Sequence, residues 1–142
     1  MIVSVDSSLL VSLYVKDGNS LAAGERMSAR PEIWLTPLNR SELEHAIYRY
    51  VYRGRFGDFE ARLAWQKFEV DCATGIWSIF PFPEGAWMRS VDLARRHGPL
   101  LGMRTLDSLH VACALELGAA RFWTFDDRQA KLAEMVGLST KP

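Results

Sequence analysis

Four times along the chain a short apolar run gives way to a stretch with helical spacing, and two of those runs end directly on an aspartate. The runs are Ile2–Val5, Ile33–Thr36, Ile76–Phe80 and Phe122–Phe125, and the aspartates are Asp6 and Asp126. Each run is too short for a helix and rich in β-branched or aromatic residues, so it reads as a buried strand. The intervening segments read as helices. Ser7–Ser8 can cap one through Leu9, Leu10, Leu13 and Tyr14, and Leu21–Met27 forms a short one after the Asp17-Gly18-Asn19-Ser20 turn. A long helix is expected from Asn39 or Ser41, carrying Leu43, Ala46, Ile47, Tyr50 and Val51, and another from about Asp58 to Cys72 once Gly54 and Gly57 have broken the chain. Glu84–His97 is expected to close at Gly98-Pro99, with His97 complementing the helix end; Thr105 caps Leu106–Leu117; and a last helix carries Ala130, Leu132, Ala133 and Met135. Alternation of this kind predicts an α/β fold with a central, mainly parallel sheet flanked by helices on both faces. Ligand sites in such folds gather beyond the carboxyl ends of the strands.

With 142 residues, 49% hydrophobic and 24% charged, the chain is expected to form one domain over 1–142 with a core that needs no disulfide. Cys72 and Cys113 have no CxxC or His partner nearby, which excludes a zinc knuckle and leaves two thiols suited to a reducing cytoplasm. The Met1–Ser8 segment lacks the basic flank and apolar run of a signal peptide, and no stretch reaches membrane-spanning length, so a cytoplasmic location is expected with no membrane partner. Seventeen basic residues balance seventeen acidic ones, so nothing in the net charge advertises a nucleic acid. The basic set is thirteen Arg to four Lys, which suits bidentate phosphate contacts.

Chemistry enters with the acids. Asp6 and Asp126 follow strands, while Glu42 and Asp107 fall in the first turns of helices that start near the same rim. Each has a plainer role when taken alone: Asp6 and Asp126 as helix caps, Glu42 and Asp107 as first-turn acids complementing a helix dipole. Together, converging carboxylates repel unless they share protons or a cation. Oxygen donors without a Cys or His cluster select Mg²⁺ or Mn²⁺ over Zn²⁺, and such an ion suits phosphodiester hydrolysis.

Val5-Asp6-Ser7-Ser8, Ser41-Glu42-Leu43-Glu44, the Arg104–Ala112 segment RTLDSLHVA and Thr124-Phe125-Asp126-Asp127 resemble, in order, the four signature blocks of the PIN-domain family. In length and pattern the chain is most similar to the VapC-like toxins of bacterial toxin–antitoxin pairs. That resemblance implies a PIN-like three-layer sandwich and a Mg²⁺- or Mn²⁺-dependent endoribonuclease, usually a homodimer held inactive by a small VapB-like antitoxin. Asp6 and Asp107 match the acids that usually hold the metal, and Glu42 and Asp126 complete the quartet. Ser8 and Thr124 match the hydroxyl positions beside the first and last acids. Asp127 and Glu44 are neighbouring acids; Asp126 is preferred for following its strand directly with Thr124 two before it, and Glu42 because Glu44 turns to another helix face. The alternative is a PIN-fold binding module without catalysis.

Arg49, Arg53 and Arg55, with Arg62 beyond them, form the one local basic concentration and are the candidates for RNA phosphate contacts, or else for a solvated face paired with Glu44, Asp58 and Glu60. Tyr48, Tyr52, Phe56, Phe59 and Trp65 interleave with them and suggest a groove for an antitoxin segment or a dimer contact. His45 and His110 each lie one turn beyond an acid; both read as core or surface residues, because an oxygen-lined site needs no imidazole. Other acid-site folds fit less well: an aspartyl phosphatase would need an Asp where Ser8 stands, and a phospho-receiver domain would need an acidic pair after the first strand.

Overall fold

A computed structural model describes all residues, 1–142. The elements in order are β1 Ile2–Val5, α1 Ser7–Tyr14, α2 Ser20–Ser28, β2 Glu32–Leu35, α3 Pro37–Tyr52, α4 Asp58–Ala73, β3 Trp77–Ile79, α5 Ala86–Leu101, α6 Thr105–Leu117, β4 Arg121–Trp123 and α7 Asp127–Met135. The four strands form one sheet in the order β3-β2-β1-β4, with every pairing parallel. The expected α/β class and its helical flanks are therefore present.

Alternation along the strands divides the core. Val3, Val5, Ile33, Leu35 and Trp77 turn to one face and pack with Leu9 and Leu10 of α1, Leu43 and Ile47 of α3, and Phe68 of α4. Phe122 serves the other face, with Leu93 of α5, Val111–Ala114 of α6 and Leu132 of α7. Burying a side chain such as Phe68 or Phe122 completely contributes about 1.5–3 kcal/mol. α6 is buried continuously from Ser108 to Ala114, the pattern of a helix with no solvent face along its middle.

The strand order sets the place of the site. From β1 the chain crosses to β2 and on to β3, then returns to the opposite side of β1 as β4. The connections leaving β1 and β4 thus diverge, which opens a crevice at their carboxyl ends. Thr36 caps α3 at the same rim: Asn39 Oδ1 accepts from the Thr36 N–H at 3.0 Å, and Asn39 Nδ2 donates to the Val5 carbonyl at 2.9 Å. That bond ties the start of α3 to the end of β1.

Several boundaries differ from expectation. α1 is capped by Asp6 rather than by Ser7 or Ser8, and α3 starts at Pro37, before Asn39, because proline suits a first helical position. α5 runs through Gly98-Pro99 to Leu101, so His97 lies inside it. Pro99 forfeits a bond to the Arg95 carbonyl and crowds it, but Gly98 before it has no Cβ to meet the ring. Gly102 closes the helix at φ 60°, donating to the Gly98 carbonyl at 2.8 Å. Thr105 is the first residue of α6 and not its cap; Arg104 holds the cap position.

Candidate active site

Asp6 sits at the floor of the crevice, 7% exposed. As the N-cap of α1 it accepts on Oδ1 from Ser8 N at 3.1 Å, Ser8 Oγ at 2.6 Å and Leu9 N at 3.4 Å. Its other oxygen accepts from Thr124 Oγ1, one residue past β4, at 2.9 Å. Both expected hydroxyls, Ser8 and Thr124, therefore touch Asp6. No Arg or Lys pairs with it. Burial pushes its carboxyl above the usual range, against the lowering effect of Ser8, His110, Thr124 and the Leu9 N–H.

Glu42 lies one helical turn beyond Asn39, so the bond that anchors α3 to β1 also turns Glu42 toward the crevice. Ser7 Oγ donates to its Oε1 at 3.1 Å, and His110 Nε2 meets the same oxygen. Burial alone would raise the Glu42 carboxyl, but the His110 bond and charge, Ser7 and Arg49 outweigh it and hold the group below its ordinary range. His110 is buried, as expected of a core histidine, yet its contact with Glu42 was not foreseen. The available signal was its place three residues after Asp107, on the same helix face.

Asp107 and Asp126 are held differently. Asp107 Oδ2 accepts from the Arg104 N–H at 3.2 Å, and Asp126 Oδ1 accepts from the Gln129 N–H at 2.8 Å, so each caps its own helix with one oxygen. Gln129, fully buried, links the two helix starts: its Nε2 donates to the Asp107 carbonyl at 3.2 Å, and its Oε1, 2.8 Å from Thr124 Oγ1, is the alternative acceptor for the one hydroxyl proton that Thr124 can give to Asp6. Sequence reasoning missed Gln129, because nothing in a polar residue two past Asp127 announces that it is buried.

Asp6, Glu42, Asp107 and Asp126 all line one cavity of about 390 Å³, together with Ser8, Asp17, Arg49, Arg53 and His110. Asp127 and Glu44 do not line it. Arg55 lies outside it with its guanidinium over the Tyr50 ring, 6.0 Å from the centroid, because it follows the end of α3; Arg62 pairs with Asp58. The structure thus brings Arg49 and Arg53 to the acids and leaves Arg55 and Arg62 away. Of the interleaved aromatics, Tyr48, Tyr52 and Phe59 are exposed, while Phe56 and Trp65 pack against the core. His45 is exposed and its Nδ1 lies 2.7 Å from the Ser41 carbonyl.

The PIN domain family model matches residues 3–135. The chain belongs to the PIN domain family. Its fold is shared with FitAcB from Neisseria gonorrhoeae, at 14% identity and a TM-score of 0.73 over 100% of this chain and 97% of that one. It is also shared with VapC20 from Mycobacterium tuberculosis, described as a sarcin-ricin loop cleaving toxin, at 15% identity and a TM-score of 0.72 over 99% of both chains. A toxin–antitoxin complex from Klebsiella pneumoniae matches at 16% identity and a TM-score of 0.68, covering 97% of this chain and 96% of that one. No curated protein sequence matches significantly.

As a metal centre this PIN site offers carboxylate oxygens, with serine and threonine hydroxyls behind them. No three of its acidic and imidazole groups meet at one point in coordinating geometry. The donor set nonetheless suits a hard divalent cation in kind. Asp107 and Asp126 each keep one oxygen free of protein partners, and Asp6 is a buried carboxylate without a basic neighbour in contact. No helix is long and apolar enough to cross a membrane.

Proposed function

We propose that this PIN domain is a Mg²⁺- or Mn²⁺-dependent endoribonuclease and the toxin of a toxin–antitoxin pair, acting in the cytoplasm as a homodimer restrained by a small VapB-like antitoxin. The observation that carries the reading is the convergence of Asp6, Glu42, Asp107 and Asp126 on one cavity at the β1/β4 crevice. Asp6, Asp107 and Asp126 taken alone are explained by helix capping. Glu42, the sixth residue of α3, lies past the first turn where a dipole role is expected of it, and four acids around one cavity have no such explanation. The description of one structural neighbour as a sarcin-ricin loop cleaving toxin, and of another as a toxin–antitoxin complex, supports the choice of substrate and partner.

In this reading Asp6 and Asp107 hold the cation, and Glu42 and Asp126 orient its waters. A bound divalent ion would lower the pKa of a water and stabilise charge on a phosphoryl oxygen. The protein's own groups do the positioning. Ser8 and Thr124 fix both oxygens of Asp6, so its carboxylate plane cannot rotate. Ser7 and His110 fix Glu42 through its Oε1, and Arg49 and Arg53 supply positive charge for the phosphates of the strand.

Purified protein incubated with a panel of structured RNAs is expected to cleave at least one of them with Mg²⁺ or Mn²⁺, and to lose that activity in EDTA and in Asp107→Asn. Cleavage that persists in EDTA would contradict the reading; absence of cleavage under every condition would leave a PIN-fold binding module in its place.

A further inference from the structure

The acid-lined cavity has a larger neighbour that the chemistry above does not use. It encloses about 960 Å³ against about 390 Å³, and the two share Glu42, Arg49, Asp107 and Asp126, so they adjoin across the acids. Its outer walls come from three helix starts: Leu38 and His45 of α3, Arg104 and Leu106 at the head of α6, and Arg128 at the head of α7.

Two features of this wall are not explained by stability. Arg104 and Arg128 are exposed and, like most arginines of this chain, pair with no carboxylate; what sets them apart is that both line this cavity beside the acids. Both also stand at the positive ends of helices, where side-chain cations are disfavoured and an anion is welcome. Between them Leu106, an apolar side chain in the first turn of α6, is 44% exposed, with half-buried Leu38 across from it.

We infer that this second cavity is a subsite for the nucleotide next to the scissile phosphate of a single-stranded RNA, with its base on Leu38 and Leu106 and its phosphate held by Arg104 and Arg128. The inference rests on the ribonuclease reading and deepens it. Cations without partners beside an apolar floor match a nucleotide, which joins an anion to a flat, largely apolar ring. A single strand is required because Asp6 lies at the floor of the narrower cavity. The backbone must dip to reach it, and the adjoining base must leave its stack, which a duplex resists and a loop permits. Arg53, which lines only the narrower cavity, takes the phosphate on the other side of the cut, and Arg49 stands between the two.

The test separates binding from chemistry. Binding of a fluorescent single-stranded RNA decamer is measured by anisotropy in EDTA, over a salt series, for the wild type, for Arg104→Ala/Arg128→Ala and for the outer-face control Arg96→Ala. Cleavage KM and kcat are then measured with Mn²⁺. The double variant is expected to bind on the order of tenfold or more weakly. Its slope of log affinity against log salt should be shallower by roughly 0.7, the value for one lost phosphate contact on a single strand. KM should rise far more than kcat falls, and Arg96→Ala should match the wild type. Leu106→Asp, which leaves both arginines in place, is expected to weaken binding and to change the base preferred beside the cut. Wild-type affinity and salt slope in the double variant would overturn the subsite while wild-type cleavage leaves the ribonuclease reading intact. Arginine-dependent binding without cleavage under any condition would keep a nucleotide-binding cavity but overturn the ribonuclease reading and, with it, a place beside a scissile phosphate.

Discussion

The two halves of the acid quartet are built on opposite plans. Asp6 and Glu42 are clamped by side chains, Ser8 of the following helix and Thr124 on the one, Ser7 and His110 on the other, although Asp6 also caps α1 through Ser8 N and Leu9 N. Asp107 and Asp126 are held only by backbone N–H groups at the starts of their own helices, and each keeps an oxygen free. The clamped pair belongs to the β1 side of the crevice and is set by tertiary packing. The capping pair is set by local helix geometry and tied to the rest through Gln129. One half of the site is therefore as rigid as the core beneath it, while the other moves only if a helix start moves.

The largest expected effect tests the clamped half. Asp6→Asn should reduce RNA cleavage by more than about a hundredfold, since loss of an outer partner of a metal ligand alone costs about 10–100-fold. It should leave the fold intact. The Asn oxygen can keep the three donors now on Oδ1, and its amide can donate to Thr124 Oγ1, whose proton then goes to Gln129 Oε1 at 2.8 Å. Circular dichroism and cleavage rates check the two halves of that statement. Thr124→Val comes next: it deletes the hydroxyl between Asp6 and Asp126 N and should lower Mn²⁺ affinity by about 10–100-fold, read by calorimetric titration.

The capping half is sharpened by Asp126→Asn beside Asp127→Asn. Asparagine caps helices about as well as aspartate, so Asp126→Asn should shift thermal stability by no more than about 0.5 kcal/mol while cleavage falls. Asp127→Asn, off the cavity, should change neither. Equal losses in the two variants would remove the distinction drawn between these neighbours.

The smallest effect is in the pH dependence of stability without metal. The folded-state pKa of Asp6 lies above its unfolded value. Its contribution is then fully present below the unfolded pKa and is lost as pH rises through the folded one. Urea unfolding of the wild type and Asp6→Asn over a pH series should show the wild type losing ground to the variant as pH rises; a flat difference would contradict the burial argument.

Much of this was legible in the chain. Strand-to-helix order followed from run length and spacing, and Asp6 and Asp126 were visible because they stop apolar runs. Glu42 was separable from Glu44 by helical rotation alone, and the cavity agrees with that choice. What remained hidden depends on contacts between distant segments. Gln129 bridging Thr124 to Asp107 has no local signature, and the place of His110 on the Asp107 face of α6 does not say that its partner is Glu42 of α3. Pro99 misled because Gly98 before it has no side chain to clash with the ring, so the helix runs on to Leu101, and Arg55 because the chain turns at Gly54, φ 72°, between it and Arg53.

The most direct test of a cation held by these acids is the melting temperature of metal-stripped protein before and after adding Mn²⁺, for the wild type and for Asp6→Asn. Selective binding to the folded state at a hundredfold excess over Kd adds about 2.7 kcal/mol of stability. A clear upward shift is expected in the wild type, with little or none in Asp6→Asn. Equal shifts in both proteins, or no shift in the wild type, would contradict the account.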